Sequence, residues 1–170
     1  MYEGEFVMNK IIAGILSFFL WIMPWWTGLY NARERLAFDR NAVMDKIATC
    51  ITNRDVGTLE SMMRPWFKAN VLDLTERLTQ FYAAIAGDIT SINKGAEGSI
   101  NSGGIYTEEL RFGVYTTDST YPHYYLLISY DVTNAKNKKD VGISMIRLQT
   151  GANSDPASIV HFDLRAPEWT

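Results

Sequence analysis

The hydrophobic pattern changes its period half-way along the chain, and this change constrains the fold more than any other feature of the sequence. Up to about residue 86, apolar residues recur every three or four positions, as on one face of a helix. Beyond residue 88 they alternate with polar residues, as in strands that bury one face. Helices followed by strands in separate blocks indicate an α+β fold with an antiparallel sheet.

Three helices are predicted in the first block, over 39–52, 55–64 and 72–86. Pro65 ends the second of them, because proline cannot continue a helix. The third helix is the clearest, since its apolar residues form one continuous stripe. The residues of that stripe are Leu74, Leu78, Phe81, Tyr82 and Ile85.

The second block predicts strands over 89–93, 105–117, 124–132 and 141–150, with a further strand-like run over 158–164. Residues 94–104 are rich in glycine, serine and asparagine and predict a loop or a weak edge strand. We expect the three helices to pack on a curved antiparallel sheet that folds around the longest helix. Such a sheet makes a cystatin-like cone with an opening at one end.

An uncharged apolar segment at 11–29 precedes the helices and strands. Its length approaches the roughly 20 residues that cross a bilayer, which predicts an apolar helix that is a signal peptide or membrane anchor. We therefore expect residues 1–37 to comprise this segment and a linker, and 38–170 to form an extracytoplasmic cone domain. No cysteine stands directly after the apolar run, where a lipoprotein anchor requires one, so a lipoprotein anchor is excluded. Cleavage, membrane orientation and a start at Met1 or Met8 stay open.

Composition excludes several kinds of partner. The net charge of -3 gives no electrostatic reason to expect nucleic-acid binding. A single cysteine, Cys50, excludes an internal disulfide framework and a four-cysteine zinc site. The two histidines, His123 and His161, do not have the spacing of metal ligands. We expect no nucleic-acid partner, no metal and no cofactor.

Four local strings and the order of the elements resemble a known family. The strings are FYAAIAGDI at 81–89, the pair Gly103-Gly104, YYLLI at 124–128 and VGIS at 141–144. They are similar to the domain-of-unknown-function 5104 family of bacterial exported proteins. The resemblance implies a nuclear transport factor 2-like, cystatin-like cone and an exported location. It implies no catalytic residues.

Two residues are candidates for acid or base chemistry. Asp131 shares a strand face with Tyr125 and Ser129, and it either lines the cone as a buried acid with a raised pKa or is an exposed carboxylate near a hairpin end. His123 stands at the start of a strand, where it is a candidate general base or an exposed turn residue. The exposed alternative is the more ordinary one for both residues.

Aromatic residues suggest a binding site instead. Trp66, Tyr82 and Tyr125 fall on the second half of the helical block and on the sheet, where they would line one connected cavity in a cone. Tyrosine offers apolar area and one hydroxyl, which suits a small-ligand pocket or a protein interface. The alternative is that these rings fill the core.

These observations favour a non-catalytic binding or interaction module, anchored to the membrane through 11–29. Its partner is a small molecule, another protein or a second copy in a homodimer. One alternative is an enzyme of the same cone shape, with Asp131 or His123 as base and a tyrosine hydroxyl as donor. The other is a structural envelope protein with a filled core.

Overall fold

The computed structural model describes residues 32–117, 123–150 and 159–166. The chain divides into two compact units, 1–37 and 38–170. In the first unit the described residues, 32–37, are helical. The predicted apolar segment at 11–29 lies outside the described residues. Within them, no helix combines the length and the apolar character that crossing a membrane requires.

Four helices occupy the described helical part of the second unit, where three were predicted. They are α1 (Arg40–Asn53), α2 (Val56–Met62), α3 (Pro65–Asn70) and α4 (Leu74–Ala83). The additional helix is α3, which has Pro65 in its first turn. Proline stops α2 but also suits the start of the next helix, because the first N–H groups of a helix need no intrahelical partner. The sequence pattern predicted that Pro65 ends the second helix. It did not predict that Pro65 also begins a further helix.

Five described strands follow in one antiparallel sheet, in the order of the sequence, which confirms the α+β fold. They are β1 (Ile89–Ser102), β2 (Ile105–Thr116), β3 (Tyr124–Asn134), β4 (Gly142–Thr150) and β5 (Ile159–Arg165). Of the two alternatives predicted for 94–104, the edge strand is confirmed as far as Ser102 and the loop is wrong, because β1 pairs with β2 as far as Ser102↔Ile105 and lies at the end of the strand order. A regular neighbouring strand supplies backbone partners whatever the side chains, so pairing overrides the weak strand propensity of glycine and asparagine.

One face of the sheet packs against the helices and forms the core. The predicted stripe of α4 is buried there, with Leu78 and Phe81 fully inaccessible. The opposing sheet face contributes every second residue of the central strands, including Leu110, Phe112, Leu126 and Ile128. Tyr125 and Leu127 alternate with these residues on the other face, where they are half-buried.

The chain between α2 and α3 runs alongside the sheet. Met63 forms a parallel bridge with Ile143, and the Arg64 N–H donates to the Ile143 carbonyl at 3.1 Å. This crossing passes directly over Gly142, where a Cβ atom would lie 2.6 Å from the Met62 carbonyl oxygen. Gly142 also has a φ of +127°, which side chains disfavour. Only glycine fits both conditions.

We predict that Gly142→Ala lowers the free energy of unfolding by about 2–5 kcal/mol, since backbone strain and steric overlap each cost about 1–3 kcal/mol. Gly95→Ala is the matched control, because a Cβ there meets nothing within 4 Å. We expect the control to change stability by less than about 1 kcal/mol. Urea unfolding followed by circular dichroism measures both, and equal effects of the two substitutions would contradict this account of the crossing.

Candidate functional site

A buried guanidinium connects the crossing to the sheet. The side chain of Arg64 reaches the carboxylate of Asp131 on β3, with 2.8 Å between Nη1 and Oδ2. Its other terminal nitrogen binds Asp140, which precedes β4. Arg64 is 3% exposed and Asp131 is 0% exposed. The three charged groups therefore form an ion-pair cluster that solvent barely reaches.

Further hydrogen bonds occupy the second oxygen of each carboxylate. The Thr107 hydroxyl donates to Asp131 Oδ1 at 2.7 Å, and the Ser144 hydroxyl lies 2.9 Å from the same atom. The Trp66 N–H donates to Asp140 Oδ1 at 3.1 Å. Such bonds are what a buried carboxylate needs to offset its lost hydration.

This cluster corrects the expectation that Asp131 is an exposed carboxylate near a hairpin end. Asp131 is completely buried because Arg64, which lies far away in the sequence, supplies its counter-charge. Nor does it face an open cavity as a free acid, since both of its oxygens are engaged. In this structure Asp131 has no accessible surface, and the Arg64, Thr107 and Ser144 side chains lie against its two oxygens.

The pKa of Asp140 reflects the hydrogen bonds and charges of the cluster. Burial alone would raise the pKa of this carboxyl, but hydrogen bonds from the Arg64 guanidinium and the Trp66 N–H outweigh burial and lower it from its ordinary value of 3.8. The folded protein therefore holds Asp140 in the ionised form.

Glu108 is a second buried carboxylate with internal partners. Its side chain receives bonds from the Tyr106 hydroxyl and the Arg40 guanidinium. The neighbouring Glu109 is half-buried and follows the opposite face of β2. The two adjacent glutamates are not arranged as a pair for acid and base chemistry.

The candidate base His123 is exposed and lies just before β3. Its ring stacks on Tyr124 with centroids 4.6 Å apart, and His161 meets the same tyrosine edge-on at 5.6 Å. Asp131 lies eight residues further along the strand, a separation of about 26 Å at the rise of a β-strand. His123 and Asp131 therefore cannot act on one substrate atom. Within the described ranges, no group of three His, Cys, Asp or Glu side chains could hold a metal ion.

The three aromatic candidates do not come together. The Tyr82 hydroxyl lies between α1 and α4, 3.1 Å from the Cys50 carbonyl oxygen, and burial raises its pKa. Trp66 packs edge-to-face on Phe67 at the border of the core. Tyr125 follows the opposite face of the sheet. The three residues therefore do not line one connected cavity as predicted. Strand alternation places Tyr125 on the sheet face that points away from the helices.

An open groove lies instead between the α3–α4 connection and the outer strand β5. Its volume is about 560 Å³. One wall is formed by Asn70, Val71, Leu72 and Arg77, and the other by residues 163–165. We call this feature the β5 groove. Sequence reasoning missed it because its two walls are far apart along the chain.

One residue of the β5 groove did carry a signal in the sequence. Leu72 was assigned to the third helix, but α4 begins only at Leu74, because Asp73 adopts a left-handed φ of 58°. Leu72 does not belong to the apolar stripe of that helix and is 86% exposed. Leu72 is thus an apolar residue that lies outside the buried stripe and on the surface of the groove.

The charged residues that line the β5 groove are Arg77, Asp163 and Arg165. Asp163 is bound by Arg165 and by Arg147 of the neighbouring strand. Arg77 on the opposite wall is exposed, and none of the described side chains forms an ion pair or hydrogen bond with its guanidinium. An exposed guanidinium without a counter-charge among the described residues suits an anionic ligand.

A family model described as Domain of unknown function (DUF5104) matches residues 46–152. The chain belongs to this family. The match covers Arg64, Asp131, Asp140 and the Arg77 wall of the β5 groove, and it ends before β5. A comparison with curated proteins finds no match.

We predict that Arg64→Met lowers the free energy of unfolding by about 3–5 kcal/mol, because it leaves the buried Asp131 without a counter-charge. Arg77→Met removes an exposed guanidinium and should change stability by less than about 0.5 kcal/mol. Adding Asp131→Leu to Arg64→Met should restore part of the loss, because one of the two carboxylates that Arg64→Met leaves without a guanidinium partner is then gone, while Asp140 remains. Chemical unfolding of all three variants tests this. Strictly additive losses in the double variant would show that the pair is not coupled.

The lowered pKa of Asp140 predicts a pH dependence. A carboxyl with a lower pKa in the folded state stabilises the fold at a pH above its ordinary value of 3.8, and this contribution is lost as the pH falls through the folded pKa. The stability difference between the wild type and Asp140→Asn should therefore shrink between about pH 6 and pH 2. Unfolding curves across that range measure it, and a constant difference would contradict the prediction.

Proposed function

We propose that the protein is a non-catalytic binding module with the cone architecture of cystatin-like domains, carried outside the cytoplasm by the apolar segment at 11–29. That segment serves as a signal peptide or membrane anchor in this proposal. Its uncharged length supports the membrane role, and the signal-like N-terminus supports export.

The state of the candidate acids and bases supports binding over catalysis. Asp131 is enclosed by Arg64, Thr107 and Ser144, and Glu108 is enclosed in a similar way. A general base must come within hydrogen-bond reach of the proton it abstracts. Within the part of the chain that the structure describes, the exposed candidate His123 contacts the Thr116 hydroxyl and the Tyr124 ring and no carboxylate.

The β5 groove is the observation that carries the proposal. It combines the exposed guanidinium of Arg77, which has no ion pair or hydrogen bond with any described residue, with an exposed apolar side chain at Leu72. Arg165 lies on the other wall, where it binds Asp163. Exposed apolar area flanked by guanidinium groups is typical of surfaces that bind partners, where arginine is enriched. We propose that the groove binds anionic ligands.

The test is a titration of the full-length protein, in detergent, with a hexaglutamate peptide. Isothermal titration calorimetry measures the binding. We expect hexaglutamate to bind more tightly than hexalysine, with an affinity that falls as salt is added. Arg77→Glu should weaken binding by about tenfold or more, which corresponds to about 1.4 kcal/mol.

The matched control is Lys46→Glu, which makes the same charge change on the exposed side of α1, away from the groove. This variant should bind hexaglutamate almost as the wild type does. If Lys46→Glu weakens binding as much as Arg77→Glu, the attraction comes from net charge and the groove is not the site. If hexalysine binds as tightly as hexaglutamate, the proposed ligand chemistry is wrong.

A further inference from the structure

The turn between β3 and β4 forms a basic surface that the β5 groove does not include. We call residues 135–139 the lysine turn. Its three exposed lysines are Lys136, Lys138 and Lys139. The side-chain carbonyl of Asn134 accepts hydrogen bonds from the Lys136 and Asn137 N–H groups, at 3.1 and 3.0 Å. Bonds of this kind hold the backbone of a turn in place, so the lysines are presented on a defined surface.

The acidic residues that flank the lysine turn do not contribute negative charge to this surface. Asp131 and Asp140 are the acidic residues on its two sides, and both are buried and bound to Arg64. The Ala135 N–H donates to the Gly104 carbonyl at 2.9 Å, which joins the lysine turn to the turn between β1 and β2. That neighbouring turn, Gly103-Gly104, contains no acidic residue. This end of the sheet therefore presents lysines to solvent.

The contacts of α1 show at which end of the sheet the chain enters the domain. Arg40, the first residue of α1, binds Glu108 near the start of β2. The start of β2 pairs with the end of β3, which leads into the lysine turn. Arg54, directly after α1, donates to the Gly87 carbonyl at 2.7 Å, and Gly87 precedes β1 at the opposite end of the sheet. The chain therefore enters the domain from the end that carries the lysine turn.

The apolar segment at 11–29 is a short distance along the chain from this entry. Phe38 packs on Tyr130 with ring centroids 5.5 Å apart, and Tyr130 lies about 13 Å from the end of β3 at the rise of a β-strand. Residues 30–37 connect Phe38 to the apolar segment, and they span at most about 28 Å when fully extended. An anchor at 11–29 therefore keeps the entry of the domain within about 28 Å of the bilayer.

We propose that the lysine turn binds the anionic phospholipid headgroups of the membrane that holds the apolar segment. This inference rests on the proposed function, since it requires 11–29 to be the membrane anchor. Lysines close to a bilayer are attracted to anionic headgroups, and the attraction falls off within a Debye length of about 8 Å at physiological ionic strength. The lysine ammonium binds phosphate as a point charge, so it needs no fixed ligand geometry. The anchor and the lysine turn then give the domain two attachments to one surface, with the Gly87 end of the sheet pointing away from the bilayer.

The test reconstitutes the full-length protein into two kinds of nanodisc, one of phosphatidylcholine alone and one with an equal amount of phosphatidylglycerol. Reductive methylation with formaldehyde, followed by mass spectrometry, measures how fast each lysine reacts. We expect Lys136 and Lys139 to react about threefold or more slowly in the anionic nanodiscs, and salt at about 0.5 M to remove this difference. Lys46, exposed on α1, is the internal control and should react equally in both.

A second measurement reports the position of the turn directly. A phospholipid with a gadolinium-labelled headgroup broadens the NMR signals of amides that lie close to the bilayer. In anionic nanodiscs we expect it to broaden the Asn137 amide strongly and the Gly87 amide little. The double substitution Lys136→Gln with Lys139→Gln should reduce the broadening of the Asn137 amide. Lys46→Gln removes one exposed positive charge elsewhere and should leave that broadening unchanged.

The other outcomes separate this inference from the proposed function. If Lys136 and Lys139 react equally in both kinds of nanodisc, the inference is overturned, while binding of hexaglutamate to the β5 groove is unaffected. If soluble glycerophosphoglycerol slows both lysines in phosphatidylcholine nanodiscs as much as the anionic lipid does, the turn binds a soluble phosphate ester and the membrane inference is overturned. If the protein does not co-purify with nanodiscs, the anchor of the proposed function fails and this inference fails with it.

Discussion

The ion pair between Arg64 and Asp131 is the interaction on which the arrangement of helices and sheet depends. Arg64 lies at the only described place where the chain between two helices pairs with a strand, and its side chain binds β3 and the residue before β4. The net gain from such a buried pair is small, because desolvation offsets attraction. Removing one partner of the pair would nevertheless lower the stability of the fold. The pair therefore favours the arrangement in which the chain between α2 and α3 crosses Gly142.

The same ion pair also determines whether a candidate functional carboxylate is accessible to solvent. By enclosing Asp131, the cluster removes from solvent the carboxylate that the strand pattern marked as a catalytic candidate. An open groove lies elsewhere on the described surface, between the chain that leads from α3 into α4 and the strand β5. Arg77 and Leu72 are exposed there.

Local patterns predicted the elements whose formation depends on burial of their own side chains. The stripe of α4 and the alternation along β3 are both realised, because periodicity directly reflects which side of an element is buried. The far half of β1 could be predicted only as a loop or a weak edge strand, since its glycines and asparagines are held by pairing with β2. The helix α3 was missed because Pro65 ends one helix and begins another. Neither effect can be read from a single segment.

The residue sequence alone therefore establishes the α+β class, the buried helix stripe and membership of the family, because these follow from periodicity and from short local strings. The candidate site was decided only by the tertiary structure. Arg64 and Asp131 are 67 residues apart in the chain, and the walls of the β5 groove lie still further apart. Whether a carboxylate is exposed, or an arginine free to bind, depends on which distant residue folds against it, and no local pattern encodes that choice.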